Sequence, residues 1–182
     1  MSHSLLFTYS LIVFGICFAA LSFCTLYYFK PVNLTKIEKI PRNVILGSIF
    51  AIIDIAWCIP QATSIFSPGS ITWIFPIAII FLLIGCFFLD YLFARAIAGF
   101  LILLSHYFLL ESFAANMDLV WIFSIACYVM GTFGIVIGGI PHILRDIFRK
   151  ICSKDTARIY FTLIFAFYAL VGIVYGVIQI IR

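Results

Sequence analysis

At 182 residues, 65% apolar and only 10% charged, with a mean hydropathy of +1.25, the chain is excluded from the soluble class, where about a quarter of residues carry charge. Its formal charge of +4 lies in short stretches beside apolar runs, which points to lipid headgroups and away from a nucleic-acid partner. Those runs are continuous rather than alternating, which excludes a β-barrel and leaves an all-α, polytopic transmembrane helical bundle.

Six stretches are long enough to cross a bilayer: 5–29, 43–66, 71–89, 96–113, 119–140 and 159–181. They fill most of residues 1–182, so a single integral-membrane domain with short loops is expected. The first span is preceded only by Ser2, His3 and Ser4 after the initial Met, without the basic flank of a signal peptide, and reads as a retained helix. Lys30, Lys36, Lys39 and Arg42 follow it. Asn33-Leu-Thr35 matches a glycosylation sequon, but it falls in this basic loop and is set aside.

Span two carries Asp54 about 17 Å from its start, near mid-bilayer. Gly47, Ala51, Asp54, Cys58 and Gln61 share one small, polar face, and Pro60 permits a kink. Trp57 lies one turn from Asp54. Ser67-Pro-Gly-Ser70 is a turn, and spans three and four are expected to fold back around Asp90–Arg95. Span four brings His106 about 15 Å from its start, at the depth of Asp54. Glu111 lies on another face, one turn after Tyr107. Ionisable groups at this depth are functional candidates by default, because each costs several kcal/mol unless paired or hydrated. Asp54, His106 and Glu111 therefore form the candidate intramembrane polar or proton site. A pair that pins two helices together and a pair that carries a proton are both compatible with the spacing.

Span five has the small-residue stripe Ser124, Cys127, Gly131, Gly134 and Gly138, and span six has Ala166, Ala169, Gly172 and Gly176. Lipid provides no hydrophobic drive between helices, so such stripes mark close backbone packing. Gly131, Gly134, Gly138, Gly172 and Gly176 are the expected helix-packing positions; span one repeats the pattern weakly at Gly15, Ala19 and Ser22. Ile137 and Ile173 are expected to face lipid. Between spans five and six, Pro141 precedes Ile143, Leu144, Ile147, Phe148 and Ile151 at helical spacing, opposite Arg145, Asp146, Arg149 and Lys150. A surface amphipathic helix and an extension of span five fit this pattern equally.

Ten of the eleven Lys and Arg residues fall in the loops after spans one, three and five; the eleventh is Arg182. Basic loops stay cytoplasmic, so both termini are expected outside. Five of six cysteines lie within spans and no CxxC pair occurs, which disfavours disulfides or a metal site. His3 and His142 lie at opposite membrane surfaces, so bis-histidine haem ligation by His106 is not expected, and no cofactor is indicated.

No HExxH, GxSxG or paired-carboxylate motif is present, so catalysis is not expected. The leading expectation is a non-enzymatic membrane subunit that packs against other membrane subunits or itself. A small transporter or proton-conducting module using Asp54 and His106 is second, and a membrane enzyme with an unrecognised site is third. A bacterial inner membrane is the expected location, with an organellar membrane as the alternative.

Overall fold

A computed structural model describes residues 2–65, 90–115, 117 and 119–181, with the pairs 76–77, 79–80 and 84–85. Among the described residues the regular structure is entirely helical: α1 (Ser2–Tyr27), α2 (Leu34–Ile37), α3 (Val44–Ile65), α4 (Leu92–Ala114), α5 (Val120–Gly139), α6 (His142–Ser153) and α7 (Asp155–Ile181), with 3-10 turns at Pro31–Asn33 and Ile40–Arg42. Among the described residues, four helical stretches are long and apolar enough to cross a membrane: Leu5–Tyr27, Leu92–Ala114, Val120–Gly139 and Asp155–Ile181. A fifth is reached if Pro31–Arg42 and Val44–Ile59, bent by 46°, are taken as one span. The turn at 67–70 and, apart from those three helical pairs, the expected third span at 71–89 lie outside the described residues, as do positions 116 and 118.

Local chemistry sets the helix ends. Where α1 has stopped, just before the break at Pro31, the Tyr28 carbonyl accepts from Asn33 Nδ2 at 2.8 Å and from the Lys30 amide at 2.9 Å. Asn43 caps α3, its Oδ1 accepting the Leu46 amide at 3.2 Å. At Pro141 the backbone cannot continue α5, and α6 begins as a separate helix. This decides between the two readings of 142–153 against an extension of span five.

Two helices begin earlier than the apolar runs. α4 starts at Leu92 rather than Ala96 and α7 at Asp155 rather than Ile159, so Arg95 and Arg158 lie within helices. A long basic side chain can leave the first turn of an apolar helix for water while the backbone ladder continues.

The helices form two compact units, 1–37 with 107–127 and 146–182, and 38–106 with 128–145. In the first, α1 and α7 pack antiparallel, with Gly15 against Gly172 and Ile12 against Gly176. Their approach is so close that a Cβ on Gly172 would lie 2.9 Å from the Gly15 backbone. Ser22 donates to the Thr162 carbonyl at 3.0 Å further along this seam. Phe108 is almost fully buried and meets Phe7, Phe14 and Phe123 at ring separations of 6.3, 5.1 and 5.9 Å. In the second unit, α3 and α4 run parallel: Gly47 abuts Leu92 and Phe93, and Gly99 abuts Asp54. α4 and α5 run antiparallel, with Ser105 beside Gly131 and Ala98 beside Gly134 and Gly138.

Candidate functional site

Parallel packing of α3 on α4 places Asp54 directly over Gly99. A Cβ on Gly99 would lie 2.9 Å from Asp54 Oδ2, so a residue without a side chain makes room for the carboxylate. Asp54 is half-buried, and its Oδ1 is buried with no hydrogen-bond partner among the described residues. Phe50 packs edge-on against Phe93 and Phe100, and Trp57 against Phe100 at 5.9 Å, so aromatic rings line the seam on either side of Asp54. Cys58 follows one turn later and is exposed. The side chains of Pro60 and Gln61 lie outside the described residues.

His106 is not level with Asp54. The register that sets Asp54 beside Gly99 puts His106 seven residues further, about 10 Å along α4. The expected equal depth came from counting α4 from Ala96, whereas the helix starts at Leu92 and the α3–α4 register fixes the levels. His106 is exposed, near the middle of α4. Glu111 is half-buried and belongs to the first unit, where Tyr107 packs against Phe7 with ring centroids 6.4 Å apart. The structure brings Asp54 to Gly99 and gives it no contact with His106.

The packing glycines have different partners from those that consecutive stripes suggest. Gly172 and Gly176 of α7 meet α1, while Gly131 and Gly134 of α5 meet α4, the latter with a notional Cβ 2.9 Å from the Ala98 carbonyl. Gly138 is looser, its nearest neighbour the Ala98 Cβ at 3.6 Å. Ile137, expected to face lipid, is fully buried because it shares the inward side of α5 with Gly134.

Sequence reasoning passed over two tyrosines. Tyr168 donates to the Ala126 carbonyl at 2.9 Å and Tyr175 to the Leu119 carbonyl at 3.0 Å, pinning α7 to the start of α5. Their seven-residue spacing, two turns on one face beside Gly172 and Gly176, was the available signal. Also unforeseen is a cluster at the helix ends of the second unit. Tyr91 accepts hydrogen bonds from Arg42 at 2.7 Å and Arg145 at 3.3 Å, and the Arg42 guanidinium lies 4.8 Å from its ring centroid. The hydrogen bond and electrostatic influence of Tyr91, with a smaller contribution from the charge of Asp90, hold the Arg42 guanidinium above even its ordinary high range.

No family model matches this chain, and no curated protein or solved structure matches it at a significant level.

Proposed function

We propose that this protein is a non-enzymatic integral-membrane subunit that packs within a larger assembly, with six crossings, both termini outside, in a bacterial inner membrane. The observation that carries this reading is the exposed His106 at mid-height of an apolar helix. A polar ring on a lipid-facing surface at that depth is costly, whereas against another subunit it would gain a hydrogen-bond partner. Two features support the crossings. Arg42 and Tyr91 touch although all of α3 lies between them in sequence, which favours a return of the chain across the membrane before Leu92. The basic loops argue for the direction.

Mild detergent extraction with crosslinking tests the reading. Partner subunits, or further copies of the chain, should be captured in fixed ratio, and His106→Leu should weaken that capture while leaving the monomer folded. A monomer that never crosslinks overturns it.

A second reading has one observation of its own. The buried Oδ1 of Asp54, with no hydrogen-bond partner among the described residues, is the kind of site a proton- or ion-conducting module would use, with His106 about 10 Å further along α4. Such a module loses activity in Asp54→Asn with assembly intact, whereas the subunit reading leaves assembly and host function intact in that variant.

A further inference from the structure

Three polar side chains from separate stretches of sequence converge at one end of the second unit. Arg42 immediately precedes α3, Tyr91 immediately precedes α4, and Arg145 lies in α6 just after α5 ends. The parallel run of α3 and α4 and the antiparallel run of α4 and α5 bring these termini to the same end of three apolar helices. In a bilayer, that end is the headgroup layer.

The geometry of the cluster is unusual in two independent respects. Two guanidinium groups, which repel each other, donate to a single neutral hydroxyl at 2.7 and 3.3 Å. Tyr91, which gathers them, has φ 61°, a left-handed conformation that a bulky aromatic residue rarely adopts. Backbone strain of this kind persists where the surroundings over-determine it, and it concentrates at binding sites. Asp90, the residue before Tyr91, is an acidic group that acts on Arg42. Guanidinium forks match the paired oxygens of a phosphate, and the Tyr91 hydroxyl can turn its hydrogen to a third oxygen.

We propose that Arg42, Arg145 and Tyr91 form a binding site for a phosphate group, held at the membrane surface as the headgroup of an anionic lipid. Bound phosphate accepts from both guanidinium groups, which Tyr91 gathers at one oxygen. The site does not depend on whether the protein is a subunit or a conductor.

Native mass spectrometry of the full chain in non-ionic micelles, with phosphatidylglycerol and phosphatidylcholine offered together, tests the proposal. The wild type is expected to retain phosphatidylglycerol selectively. Arg42→Gln with Arg145→Gln should lower that retention roughly tenfold or more, the scale of losing hydrogen bonds to charged groups. Lys150→Gln with Lys154→Gln removes the same charge elsewhere and should leave retention unchanged. Arg42→Lys with Arg145→Lys keeps charge but not the fork, and should also lose selectivity; it decides the matter if the glutamine variant fails to fold. Displacement of the lipid by inorganic phosphate would assign the site to soluble phosphate, and no displacement would assign it to the headgroup. Equal losses in the two glutamine pairs, full retention in the lysine pair, or no selectivity in the wild type overturns the proposal.

Discussion

Single residues carry the tightest packing in this protein. At Gly172 the neighbours are the backbone N and Cα of Gly15 and the Leu11 carbonyl, none of which can rotate aside. Gly172→Leu should therefore destabilise the α1–α7 pair by about 1–3 kcal/mol or more, as overpacking does. Gly139 has no neighbour within 4 Å, so Gly139→Leu should be close to neutral, and thermal melts in micelles compare the two. Equal tolerance would mean that α1 and α7 do not meet through glycine. Tyr168→Phe and Tyr175→Phe each remove one phenol-to-carbonyl bond and should lower stability by about 0.5–1.5 kcal/mol in the same melts. The glycines were legible in the sequence because a missing side chain in an apolar helix has few purposes. The tyrosines were not, because a tyrosine in a membrane span reads equally as bulk or as a hydrogen-bond donor until its facing carbonyl is known.

Helices were legible where apolar runs met a breaker, and less so where charge intruded. Pro31, Pro41 and Pro141 mark real ends or bends, whereas α4 and α7 absorb a charged turn that hydropathy assigns to loops. Asp54 was legible as a lone carboxylate in an apolar helix. Its neighbour was not, because equal depth can be counted along one helix but register is set by the pair. The junction into α5 offers a test of strain. Leu119 has φ 54° and is exposed, and its carbonyl is held by Tyr175. Leu119→Gly relieves a left-handed conformation worth roughly 1–2 kcal/mol and gives back about 0.5–1 kcal/mol in chain entropy. A small rise in melting temperature is expected, and a fall would show that the exposed Leu119 side chain contributes more than the turn costs.

For the whole molecule, the path between α3 and α4 decides the number of crossings. Arg42 and Tyr91 are hydrogen-bonded, so the two helix starts lie on the same side, and the parallel register along Gly47–Leu92 and Asp54–Gly99 agrees. If α3 crosses fully, residues near 70 emerge on the opposite face and the chain crosses again before Leu92. If the 46° bend between Pro31–Arg42 and Val44–Ile59 instead belongs to a re-entrant segment, those residues return to the starting face. Single cysteines in a cysteine-free background, labelled with a membrane-impermeant maleimide in intact cells and after lysis, separate the two. Ser70→Cys should react from outside in intact cells, while Thr35→Cys and Ser153→Cys should react only after lysis. Labelling of all three from one side would remove the crossing by α3, and with it the mid-membrane placement of Asp54.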